Sequence, residues 1–72
     1  MNNLNVAKIQ LNGDPYEINI GTNLIELLNR LKIQSNKVAV EINGVFVEKN
    51  KYKKLLLNKN DKVEIVHFIG GG

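Results

Sequence analysis

The stretch KVEIVHFIGGG, Lys62 to Gly72, decides how this chain folds. Val63 and Ile65 alternate with Lys62 and Glu64, the period of a strand with one covered face. Val66 and Phe68 extend the apolar run on the opposite parity. A strand this long and this rich in β-branched residues belongs in the middle of a sheet. Three glycines follow it directly. Glycine loses more backbone freedom on ordering than any other residue and buries no side chain, so the run is poor material for finishing a core. The segment therefore divides into a central strand and, over residues 69–72, a flexible glycine tail.

Outward from this strand the rest of the chain supplies its partners. VAKIQL and YEINI alternate apolar and polar residues on either side of NGDP, residues 12–15. Asn12 and Gly13 tolerate positive φ, which predicts a hairpin, and Pro15 is expected to block ladder pairing beyond the turn. TNLIELLNRLKI then changes period. Leu24, Leu27, Leu28 and Leu31 fall at i, i+3, i+4 and i+7, one stripe of a helix. Thr22 is the expected N-cap. With Ile25 at the third position and Glu26 one residue late, no reciprocal capping box is expected. Glu26 and Arg30 are spaced for an i,i+4 pair worth roughly 0.3 kcal/mol. The helix should fade near Gln34 to Lys37.

VAVEI, Asn43-Gly44 and the short Val45 to Val47 form a second hairpin. YKKLLL, residues 52–57, reads as a helical or 3₁₀ turn that buries Leu55 or Leu57, and NKND, residues 58–61, as a polar turn. The order is strand, strand, helix, strand, strand, strand. One helix then covers one face of a mixed sheet of about five strands, with the last strand beside and parallel to the first. This is an α+β chain of the ubiquitin-like β-grasp type, a single domain over residues 1–72.

Composition limits the chemistry. The 72 residues are 43% hydrophobic and 24% charged, with a net charge of +3 from ten basic and seven acidic residues. A chain this short buries roughly 60% of its unfolded surface around one thin core. It has no cysteine, which excludes disulfides, thiolate nucleophiles and cysteine metal sites and favours a cytoplasmic location. MNNLNV lacks the basic segment and long apolar run of a signal or anchor. The basic segment Lys49 to Lys54 reads as a solvated turn rather than a nucleic-acid patch, because only Tyr52 is interleaved as an aromatic. His67 is the only histidine and reads as a bystander at the base of the tail. The carboxylates are scattered singly, and the glycines lack phosphate-loop spacing. No autonomous catalytic apparatus, metal site, membrane segment or nucleic-acid site is expected.

What remains is the chain end. A carboxylate activated with ATP as an acyl-adenylate is a mixed anhydride open to nucleophiles. A glycine tail passes through a channel too narrow for any side chain, and Ile69 to Gly72 span on the order of 13 Å when extended. The competing reading is a frayed end or a tag remnant. Val66 and Phe68 fall on the face away from the helix, and with Ile69 at the base of the tail they are the candidate docking residues. They mark either a docking patch for a partner or a strand that is simply hydrophobic.

The segments KIQLNG, LIELLNRL, VAVEINGVFV and VEIVHFIGGG together resemble the ThiS family of sulfur carriers in thiamine biosynthesis, from about Lys8 to Gly72. The resemblance implies that the Gly72 carboxylate is the covalent site and that Gly70 and Gly71 form the inserting tail. It implies adenylation with ATP by a ubiquitin-activating-enzyme-like adenylyltransferase. Sulfur from a donor such as a cysteine desulfurase then gives a thiocarboxylate, which thiazole synthase consumes. No bound cofactor is implied. The same Gly-Gly end also suits the small subunit of molybdopterin synthase or a ubiquitin-like modifier. The chain departs from the family pattern at MNNLNV, at Glu48, where many members have Pro, and at NKND.

Overall fold

The computed structural model describes residues 5–69. Five strands run as β1 (Val6–Leu11), β2 (Asp14–Asn19), β3 (Val38–Ile42), β4 (Val45–Phe46) and β5 (Lys62–His67). The single helix α1 (Leu24–Arg30) lies between β2 and β3, and 3₁₀ turns occupy Ser35–Lys37 and Lys49–Lys51. The sheet order is β2-β1-β5-β3-β4. The last strand is therefore central, parallel to β1 and antiparallel to β3, as its composition predicts.

Both hairpins turn where Asn-Gly allows it. Asn12 and Gly13 have φ of 48° and 86°, and Asn43 and Gly44 have 54° and 85°. This consecutive left-handed pair matches the twist of the flanking strands. Pro15 does not end the ladder: β2 begins at Asp14, and Pro15 lies opposite Gln10. The reason is topological. β2 is an edge strand, and the pair next to Leu11–Asp14 is a non-hydrogen-bonded one, so the N–H that proline lacks would face the free edge.

The helix is capped one residue later than Thr22. Asn23 is the N-cap: its Oδ1 accepts from the Glu26 N–H at 2.8 Å, and the Glu26 carboxylate accepts from the Asn23 N–H at 2.8 Å. The capping box expected to be missing is thus present, with Asn as the cap and Glu26 three residues on. Thr22 Oγ1 instead donates to the Asn19 carbonyl. Because Glu26 is committed to the cap, the expected pair with Arg30 does not form. Arg30 turns to β2, lying 5.4 Å from the Tyr16 ring centroid.

The core lies between α1 and the sheet. Leu24, Leu27 and Leu28 pack against Ile9, Ile18, Val38, Val40, Val63 and Ile65. Tyr52 and Leu57 close the edge of this layer. Tyr52, read from sequence only as an aromatic within the basic segment, is 1% exposed. The segment around it is fastened to the helix start: Leu24 and Ile25 N–H groups donate to the Leu55 and Tyr52 carbonyls, and Leu57 N–H donates to Thr22. These bonds satisfy donors that a helix N-terminus otherwise leaves unpaired. The 3₁₀ turn precedes YKKLLL instead of lying within it, and Leu57 is the leucine fully buried.

Candidate functional site: the open sheet face beside the carboxyl end

The parity of β5 places Val63 and Ile65 under the helix and Glu64 and Val66 on the open face. Val66 is 48% exposed and Phe68, just past the strand, 57%. Ile69 is 98% exposed. All three residues named from sequence as a docking patch are therefore on the surface, next to one another along the chain. Gly70, Gly71 and Gly72 lie outside the described residues.

The sheet register adds what the sequence did not show. Ala39 pairs with Val66, and Glu41 pairs with both Glu64 and Phe46. Directly paired residues share a face, so Phe46, 62% exposed, belongs to the same open face as Val66. Its signal was the two-residue Asn43-Gly44 turn, which fixes the pairing of Phe46 with Glu41 and hence its side.

Phe68 is held twice at the point where the chain leaves the sheet. Its N–H donates to the Lys37 carbonyl at 3.0 Å, one step beyond the last residue pair of β3 and β5. Its ring lies 5.3 Å, centroid to Nζ, from the Lys49 ammonium. His67 pairs with Val38 and is exposed at the end of its strand. Among the described residues no group of three or more acidic or histidine side chains is placed to hold a metal ion. No helix among them is long and apolar enough to cross a membrane. The described arrangement is a central strand paired on both sides, with exposed apolar residues at Val66, Phe68 and Ile69 where the chain leaves the sheet.

A five-stranded mixed sheet with a parallel central pair and one helix across one face is the β-grasp fold, here with exposed apolar residues at Val66, Phe68 and Ile69. The ThiS family profile matches residues 9–72. The sulfur carrier protein ThiS of Bacillus subtilis is 37% identical over 65 residues, covering 89% of this chain and 98% of that protein. The crystal structure of the thiamine biosynthesis protein ThiS from Geobacter metallireducens superposes with a TM-score of 0.79 at 34% identity, covering 90% of this chain and 99% of that one. A thiazole synthase of Magnetococcus marinus is 46% identical over 65 residues, and there the chain spans 20% of the relative's length. The chain belongs to the ThiS family.

Proposed function

We propose that this chain is a sulfur carrier in thiamine biosynthesis and that its cargo is bound at the Gly72 carboxylate. The observation that carries the reading is the family match running through residue 72, on a fold whose last strand, ending at His67, is central in the sheet. The carboxylate attacks ATP on a partner adenylyltransferase, giving the acyl-adenylate and releasing pyrophosphate. The persulfide of a donor such as a cysteine desulfurase attacks the acyl carbon and expels AMP, giving an acyl disulfide. A second thiol then attacks the donor's sulfur in that S–S bond, forming a disulfide with the donor cysteine and releasing the terminal thiocarboxylate.

The carrier itself is not the catalyst. It contributes the reacting carboxylate and a recognisable surface, while ATP is bound and used by the partner. Val66, Phe68 and Ile69 dock the domain, and Gly70 and Gly71 admit the end to a narrow pocket, having no Cβ to collide with its walls. Thiazole synthase is the proposed acceptor of the sulfur. Support comes from the Magnetococcus marinus protein of that name, which carries a segment like this chain within its own length.

Intact-mass measurement tests the reading. Incubation with the cognate adenylyltransferase, ATP and a sulfur source should replace one carboxyl oxygen by sulfur. The change should disappear when Gly72 is deleted, while the thermal unfolding transition stays in place. An active mixture that never yields the sulfur-bearing mass would overturn the proposal. So would retention of the mass change by the deletion variant.

A further inference from the structure

We propose that Lys49 is a positioning residue for the docking of the chain on its adenylyltransferase, holding the ring of Phe68 in one orientation. The inference rests on the carrier reading above, and it explains a contact that reading leaves unused. Among the described residues Phe68 is the last whose backbone is tied to the sheet, by its N–H to the Lys37 carbonyl at 3.0 Å. That bond fixes the main chain but not the direction of the side chain. At 57% exposure the ring is more than half open to solvent and is not enclosed by the core. Lys49 supplies the missing restraint, its Nζ lying 5.3 Å from the ring centroid. A cation over an aromatic face is attracted by the ring quadrupole, and this distance is within the effective range.

The two halves of the clamp come from distant parts of the chain. Lys49 opens the 3₁₀ turn Lys49–Lys51 that follows β4, and that turn is held in place by Tyr52, which is buried. Lys49 thus projects from a rooted segment. Phe68, by contrast, sits where the fold hands over to Ile69, 98% exposed. A ring locked in one orientation presents the same apolar shape to every partner. Losing the lock leaves binding possible but spreads the ring over several rotamers. The basic segment read from sequence as a solvated turn then has one member with a task.

The contact holds the competent rotamer about two- to five-fold more often than an unrestrained ring, the strength expected of an exposed cation–aromatic pair. In the free, full-length chain, proton NMR should find the Lys49 ε-methylene displaced upfield of the other lysines by the ring current. Phe68→Leu should remove the displacement. In adenylyltransferase assays with the chain as substrate, Lys49→Met should raise KM about two- to five-fold at unchanged kcat, and Lys49→Arg should restore it. In a Phe68→Leu background, Lys49→Met should add nothing.

An undisplaced Lys49 resonance would overturn the clamp, as would an unchanged KM in Lys49→Met. An equal rise in KM in both backgrounds would do the same, by showing that Lys49 touches the partner directly. The NMR measurement needs no partner. If the wild-type chain is never adenylated, the carrier reading fails while the clamp is still decided on its own evidence.

Discussion

Asn43 and Asp61 are joined by a side-chain hydrogen bond, Nδ2 to Oδ1 at 2.9 Å, across 18 residues of sequence. The same asparagine accepts from the Lys62 N–H at 2.9 Å, and the other oxygen of Asp61 accepts from the Asn58 N–H at 2.7 Å. The turn of the second hairpin is therefore stapled to the start of the central strand. Asn12 does the same from the first hairpin, its Oδ1 accepting from the Ile65 N–H at 2.8 Å. It continues the parallel ladder after the Asn12 N–H has donated to Val63. Both Asn-Gly turns reach inward to β5, so the central strand is held from both sides.

Replacing Asn43 separates the turn from the staple. Asn43→Gly keeps the left-handed backbone, φ 54°, and deletes the side-chain bonds. It should cost about 1–2 kcal/mol in urea unfolding. Asn43→Asp should cost more at neutral pH, because it removes the donor and sets a second carboxylate against Asp61. An Asp variant as stable as the wild-type chain would show that the bond to Asp61 contributes nothing.

The capping box gives a second ordering. Asn23→Ala removes the acceptor for the Glu26 N–H and should lower stability by about 1 kcal/mol, while Asn23→Ser should recover most of it. Thr22→Ala should cost less, since its hydroxyl serves the turn before the helix and not the helix itself. Chemical denaturation of the three variants checks the ranking. A Thr22→Ala loss larger than that of Asn23→Ala would place the cap at the wrong residue.

Periodicity and turn chemistry made most of the architecture legible. Leu24, Leu27 and Leu28, the two Asn-Gly turns and the alternation of Val63 and Ile65 each depend only on neighbours and match the fold, whereas α1 ends at Arg30, with Leu31 as its C-cap and short of the fade expected near Gln34 to Lys37. The misreadings share a different cause. Thr22 and Asn23 are both good caps, and the choice between them rests on what the loop at Leu55 and Tyr52 offers the first helical N–H groups. Tyr52 looks polar by its company of lysines, yet the chain path puts it against Val40. Phe46 joins the open face only through pairing with Glu41. Such placements are tertiary, and a one-dimensional pattern does not carry them. For the candidate site, parity alone put Val66 and Phe68 on the open face, whereas the approach of Lys49 to Phe68 depended on the route of the loop after β4.

The buried tyrosine predicts a limit at alkaline pH. Burial pushes the Tyr52 hydroxyl above its ordinary value of 10.0, with hydrogen bonding at the Val40 backbone pulling the other way. A phenol with a raised folded pKa holds its proton more tightly in the fold than in the unfolded chain. Its contribution is therefore intact below about pH 10 and lost as pH rises towards the folded value. Tyr52→Phe cannot ionise and should lack this part of the decline. Unfolding measured from pH 8 to 11 should show the wild-type chain losing stability relative to Tyr52→Phe only at the upper end. Parallel curves would mean that Tyr52 ionises as freely in the fold as out of it.

Phe68→Ala separates docking from folding. The ring is 57% exposed and lies outside the core layer of Leu24, Leu27, Val63 and Ile65. Its removal should cost no more than about 1 kcal/mol of stability, chiefly the contact with Lys49. Binding to a partner that covers the open face should fall further, by about tenfold or more, because an aromatic anchor at the centre of a contact loses its whole buried surface at once. Val63→Ala supplies the opposite control. Val63 is 1% exposed in the middle of β5, so its truncation should lower stability by more than 1 kcal/mol and leave the affinity of the folded fraction near wild type. Calorimetric titration with the adenylyltransferase, beside thermal unfolding, reads both quantities. A Phe68→Ala chain that binds normally but melts early would move the ring into the core, and the docking face would then have to be sought elsewhere on the sheet.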